Sequence, residues 1–314
     1  MKMMRAVSKL AWLAAFAVAP AAGQAPAPAV PAVTVQQTNV EDPGHPPIPL
    51  AIFSPASVAP TPLIVISHGT GGGAISHLDT AKALAEAGFV VAVPMHPGDN
   101  FRDDSDVGKP QWLGDRSRHV SKVIDFMFSR WDGHARLMPS HVGMFGFSAG
   151  ATTALISIGG EPDLGRVATH CAKQKEFVCQ IMKPQGDGAA AAPQWVHDPR
   201  VAAAVLAAPG LGFTFGPSSL AHVRVPVQLW VGSADQTVPY ESNAAIIRQQ
   251  LAPRLTEFHR AEGAVHLSFL APCGPATPPA LCQDTPGFDR AAFHRAFNAS
   301  AIAFFKAHLA GRSP

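Results

Sequence analysis

Gly146-Phe147-Ser148-Ala149-Gly150 is the stretch of this chain with the plainest chemical content. A serine hydroxyl is a poor nucleophile, and it becomes useful when a tight turn holds it exposed beside a base. Flanking glycines let such a turn form between a strand and a helix without Cβ clashes. The segments on either side fit that setting. Residues 141–147 read as a strand and 149–158 as the helix behind it. The plain alternative is a glycine-rich turn with an inert serine, so a base and an acid must be found elsewhere.

Two downstream loops supply them. An apolar strand at 227–231 runs into Gly232-Ser233-Ala234-Asp235-Gln236-Thr237-Val238-Pro239, which puts Asp235 just past a strand end. A second strand at 255–260 is followed by Gly263-Ala264-Val265-His266-Leu267-Ser268-Phe269. In that reading His266 takes the Ser148 proton and returns it to the leaving group. Asp235 holds the imidazole tautomer and stabilises its charged form. The chain has fourteen histidines, so His266 stands out by order and loop position rather than by type. Asp198 is the rival acid, but it precedes the strand at 201–207 and so belongs at the wrong end of a sheet.

Acyl transfer also builds negative charge on a carbonyl oxygen, which preorganised backbone N–H groups can stabilise. Ser67-His68-Gly69-Thr70-Gly71-Gly72-Gly73 follows the buried strand at 63–67 and is rich enough in glycine to approach a substrate. Its expected donor is Thr70, paired with Ala149 next to the nucleophile. A phosphate-cradling loop would end in Lys and Ser or Thr, and that ending is missing. His68 reads as a residue that braces the loop.

The elements that must position these groups alternate along the chain. Strands are expected at 32–40, 49–53, 63–67, 89–93, 141–147, 201–207, 227–231 and 255–260. Helices are expected at 77–87, 115–131, 149–158, 240–251 and 288–309. Continuous apolar runs such as Leu63-Ile64-Val65-Ile66 suit strands buried on both faces. Alternation of this kind implies a mostly parallel α/β sheet with helices on both faces, active residues collecting at the strands' C-terminal ends. Residues 159–197 break the rhythm with Gly, Pro and a run of Ala, and read as an insertion and a candidate lid.

Apolar residues make up 47% and charged residues 15% of the 314 positions, which suits a folded chain with a large core. With a net charge of +2 and no basic stripe, nucleic-acid binding is not expected. Lys2, Arg5 and Lys9, the short apolar run 10–18 and the small residues up to Gly23 have the pattern of a signal peptide, residues 1–23. Residues 24–33 follow as a Pro/Ala spacer, then a domain at 34–312. The apolar run is too short for a stable membrane anchor. Export makes disulfides the natural state of the four cysteines, and proximity favours Cys171–Cys179 and Cys273–Cys282. Neither pair has zinc spacing, no H-E-x-x-H is present, and no metal or cofactor is expected.

Taken together, these residues resemble the α/β-hydrolases related to dienelactone hydrolase and platelet-activating-factor acetylhydrolase. The likeness covers roughly residues 60–310. It rests on S-H-G-T-G-G, A-G-F-V-V-A-V-P-M-H-P-G-D-N, G-F-S-A-G-A-T-T-A-L, D-P-R-V-A-A-A-V, G-S-A-D-Q-T-V-P and H-L-S-F-L-A-P-C. It implies an α/β-hydrolase fold and an esterase- or lipase-type serine hydrolase with Ser148, Asp235 and His266 as triad. Thr70 and Ala149 are the implied oxyanion donors, and a small-molecule or lipid ester the substrate. Dienelactone hydrolase uses a cysteine nucleophile, whereas Ser148 stands here, so a general carboxylic ester is the expected substrate class. An exported peptidase of the same fold and an inactive binding scaffold are the alternatives. Phe213, Phe215 and Phe269 are expected near an acyl or alcohol pocket, Phe147 in the core, and His96 and Asp99 at the pocket rim. Closing seven residues after His266, the Cys273–Cys282 loop should steady the loop carrying the base.

Overall fold

Strand-forming runs along the chain assemble into one eight-stranded sheet. The strands are β1 (Val33–Val40), β2 (Ile48–Pro55), β3 (Thr61–Ser67), β4 (Val90–Pro94), β5 (Leu137–Phe147), β6 (Val201–Ala207), β7 (Val227–Gly232) and β8 (Thr256–Ala261). This computed structural model describes residues 32–182 and 193–309. The expected signal segment, nearly all of the spacer, and residues 183–192 of the expected insertion lie outside them. Sheet order is β1-β2-β4-β3-β5-β6-β7-β8. β1 and β2 pair antiparallel, as do β2 and β4, and every later pairing is parallel.

Helices cover both faces because the strands are apolar on both. On one face Leu63, Val65, Val142, Met144 and Leu206 pack against α2 (Trp112–Ser129), α3 (Ala149–Ser157) and α6 (Ala244–Gln250). Their sequence neighbours Ile64, Ile66, Phe145 and Val205 point the other way, onto α1 (Leu78–Glu86) and α7 (Arg290–Leu309). The period-2 alternation of a strand therefore serves two cores at once. The order of strand addition reverses between β3 and β5, which are parallel neighbours whose following helices lie on opposite faces. A crevice opens there at the strands' C-terminal ends.

The expected elements appear with small shifts. α2 starts at Trp112, three residues before the expected start. α6 starts at Ala244 rather than 240, because Ser242 Oγ and Asn243 Nδ2 bond the Pro239 carbonyl at 3.3 and 3.0 Å. Such local side-chain bonds compete with the helix ladder. The irregular 159–197 stretch contains two short helices, α4 (Arg166–Cys171) and α5 (Val178–Ile181). Both cysteine pairs are disulfides, Cys171–Cys179 and Cys273–Cys282. Among the described residues, no helix is long and apolar enough to cross a membrane.

Phe297 of α7 is fully buried among the rings of Phe145, Trp230, Phe269 and Phe293, with centroids 5.0–5.9 Å away. Truncating it opens a cavity between the sheet and the loop after β8. Phe297→Ala is expected to cost about 3–5 kcal/mol, read as a lowered urea midpoint.

Candidate active site

Ser148 sits at the β5–α3 junction with φ 55° and ψ −121°, a conformation a residue with a Cβ adopts only under strain. The neighbouring glycines make it possible. A Cβ on Gly146 would overlap the Gly150 carbonyl, and one on Gly150 would overlap the Ser67 carbonyl of β3. The Ser148 N–H donates to the Ala207 carbonyl of β6 at 3.0 Å, tying the turn to the neighbouring strand.

Asp235, His266 and Ser148 come from the ends of β7, β8 and β5, and the fold brings them into one line. Ser148 Oγ lies 3.0 Å from His266 Nε2, and His266 Nδ1 lies 2.8 Å from Asp235 Oδ2. The other Asp235 oxygen accepts the Thr237 and Val238 N–H groups at 2.9 and 2.8 Å. With a carboxylate at Nδ1, the proton of a neutral imidazole belongs there, leaving Nε2 to accept from the serine. Both His266 and Asp235 are buried, and the His266 ring leans on Phe147 with centroids 4.8 Å apart.

The turn that carries His266 is braced from behind. Ser268 Oγ accepts the Val265 N–H at 3.0 Å and donates to Asp284 Oδ1 at 2.6 Å. Arg290 binds both oxygens of Asp284 and also donates to the Leu281 carbonyl inside the Cys273–Cys282 loop. His294, held by Asp79 at 2.7 Å, reaches the Ser268 carbonyl through Nε2 at 2.9 Å. None of Asp79, Asp284, Arg290 or His294 belongs to a recognisable motif, and sequence reading missed them.

Thr70 and Ala149 line one small cavity together with Ser148. Its volume is only about 20 Å³. The far wall is Glu176, Phe177, Val178 and Ile181, so the irregular segment does reach the serine. Gly210 closes another side. A Cβ there would stand 3.9 Å from both Ser148 Oγ and the Ala149 nitrogen. The aromatic residues expected near the pocket are placed otherwise. Phe213, Phe215 and Phe269 are buried in the core and absent from the cavity walls, as is Phe147. Trp112, Phe177 and Leu211 provide the apolar surface instead. Their positions depend on loops whose packing has no sequence period.

His96 and Asp99 also differ from expectation. They are buried behind the glycine loop rather than at a rim. Asp99 pairs with the fully buried Arg116, accepts Trp112 Nε1 at 2.6 Å and accepts the Gly71 N–H at 2.8 Å. Arg116 also donates to the His68 carbonyl and, at 3.0 Å, to Thr153 Oγ1 of α3. One ion pair thus fixes both sides of Thr70. His68 contributes through Nδ1, 2.7 Å from the Gly69 carbonyl, and through Nε2, which accepts the His96 N–H at 3.2 Å. Asp198, the rival acid, is bound to Arg200 and Ser121 at the opposite end of the sheet.

Comparison with known proteins agrees with this architecture. Residues 48–183 match the model of the dienelactone hydrolase family. A crystal structure of dienelactone hydrolase from Anabaena variabilis superposes with a TM-score of 0.55 at 17% identity, over 88% of this chain and 98% of that one. The fold is that of the α/β-hydrolases, and residues 48–183 are similar to the dienelactone hydrolase family. No match is found among curated proteins.

Burial around the candidate site depresses several histidines. Desolvation lowers His68 to about 4, helped by the Arg116 charge. It lowers His77 to about 3. His77 lies edge-on to Phe145 and Phe147, and neither of its ring nitrogens has a well-aligned hydrogen-bond partner. His96 is likewise driven well below the ordinary value by desolvation and by Arg116. Folding therefore keeps these rings neutral, whereas the unfolded chain protonates them below the ordinary histidine value of 6.5.

Two predictions follow from these contacts. For His77, stability is fully present above pH 6.5 and is lost as pH falls toward about 3, at roughly 1.4 kcal/mol per pH unit. His77→Leu should make the decline of the urea midpoint between pH 6.5 and 4 shallower by about one proton's share. Arg116→Met leaves Asp99 buried without its cation and should cost about 3–5 kcal/mol. The double variant Asp99→Leu/Arg116→Met should recover part of that loss in the same denaturation assay.

Proposed function

We propose that this chain is an exported serine hydrolase that cleaves carboxylic esters through an acyl-enzyme on Ser148. The observation carrying the reading is the line Ser148 Oγ–His266 Nε2 at 3.0 Å and His266 Nδ1–Asp235 Oδ2 at 2.8 Å, beside a small cavity that Ser148 lines. Attack of Ser148 Oγ on the ester carbonyl passes its proton to His266 Nε2. The oxyanion is received by the N–H groups of Thr70 and Ala149. Collapse of the tetrahedral intermediate expels the alcohol, which takes the proton from His266. Water then repeats the sequence on the acyl-enzyme, with His266 as base, and releases the acid.

The strained turn favours this role, because it lifts Oγ clear of the helix end and into line with the imidazole. Similarity to the dienelactone hydrolases makes a small-molecule substrate the natural expectation. Export is supported by the pattern of residues 1–23 and by the two disulfides, which persist in oxidising compartments.

Ser148→Ala is expected to lower kcat for p-nitrophenyl esters by on the order of 10⁴-fold or more, with circular dichroism unchanged. A fluorophosphonate probe should label the wild type at Ser148 and leave the variant unlabelled. Retained turnover or labelling in the variant overturns the assignment.

A further inference from the structure

The cavity beside Ser148 contains a single charged residue among those lining it, and that residue is an acid. Glu176 is buried, and its carboxylate is held by neutral donors. Ser242 Oγ donates to Oε1 at 2.5 Å and Asn243 Nδ2 to Oε2 at 3.2 Å. His170 Nε2 lies 3.1 Å from Oε1, off the line of a good hydrogen bond, and its ring stacks on Phe213 at 3.6 Å. Asn243 in turn accepts the Gly212 N–H at 2.9 Å, which ties Glu176 to the loop after Gly210. Cys171–Cys179 closes the loop that carries it. The carboxylate is therefore fixed in the wall.

The cavity holds little more than a water, so a substrate attacked at Ser148 must bring its flanking groups up against the largely apolar wall that carries Glu176. A second carboxylate there would lose its hydration, find no Arg or Lys among the lining residues, and face a like charge. A neutral group meets none of these costs, and a hydroxyl or amide can donate to the spare lone pair of Oε2.

Resting on the esterase reading above, we infer that Glu176 is a specificity-determining residue that turns the site against esters bearing a carboxylate and toward uncharged ones. The discrimination lives in the ground state and transition state alike, so it reads out in kcat/KM for matched substrate pairs rather than as a general loss of rate.

The test uses two such pairs at about pH 8. p-Nitrophenyl butyrate against p-nitrophenyl hemisuccinate places the charge on the acyl side. Phenyl acetate against 4-carboxyphenyl acetate places it on the alcohol side. Wild type should favour the neutral member of at least one pair by roughly tenfold or more in kcat/KM. Glu176→Gln should shrink that ratio severalfold, and Glu176→Asp, which keeps the charge, should retain most of it. Equal ratios in wild type and Glu176→Gln for both pairs, or a wild-type preference for the carboxylate, overturn the inference. Should Glu176→Gln fail to fold, wild-type ratios near one in both pairs have the same force. Absence of turnover on every ester, together with no fluorophosphonate labelling, instead overturns the reading of Ser148 on which the inference rests.

Discussion

Everything at this site depends on how closely the start of α3 approaches the ends of β3 and β5. The helix is pressed so tightly against the strands that Gly150 has no room for a Cβ beside the Ser67 carbonyl, and Gly146 none beside the Gly150 carbonyl. That approach forces Ser148 to a φ of 55° and turns its hydroxyl out of the sheet. Ala203, Val205 and Ala207 on one side of the neighbouring strand, and Ala204 and Leu206 on the other, supply the packing that holds the strained turn in place. The local cost is sustained by a core that would have to separate to relieve it.

Around the turn, two kinds of support are used. The glycine loop is fixed by charge. Asp99 and Arg116, both buried, reach Gly71, His68 and Trp112, so the loop's backbone is held from within the protein. The His266 turn is fixed by a wider network through Ser268 to Asp284, Arg290, His294 and Asp79, with Arg290 and Asp284 as its ion pair. Both arrangements keep ionised groups out of the cavity itself and place them one layer behind it. That separation lets the site hold precise geometry without filling its walls with charge, Glu176 excepted.

Much of this was legible in the residues. Leu63-Ile64-Val65-Ile66 and its counterparts announce strands buried on both faces, since only such strands lack a polar side. The meeting of Ser148, His266 and Asp235 was legible because each follows a strand and parallel strands bring their ends to one edge of the sheet. The cavity walls were not. Phe177, Val178 and Ile181 belong to a stretch with no period of two or of 3.6, and it is Glu176 and the Cys171–Cys179 disulfide that dock it. Asp99 and Arg116 are seventeen residues apart, on a loop and a helix, and their pairing follows only from a sheet order that places β4 beside β3. Phe213, Phe215 and Phe269 misled because aromatic residues near a site serve the core as readily as a pocket.

The sheet order also fixes when the site can exist. Ser148 and His266 are 118 residues apart in sequence, and β8, which leads to His266, is the last strand and an edge strand. A nascent or refolding chain can build β3 to β6, with the serine turn already strained, while still lacking its imidazole. Long-range pairings of this kind carry the largest loop-closure entropy and define the slow end of assembly. The line from Ser148 through His266 to Asp235 is thus a clock for folding: it closes only when the carboxyl-terminal third of the molecule has docked, so an incomplete chain leaves the serine without its imidazole.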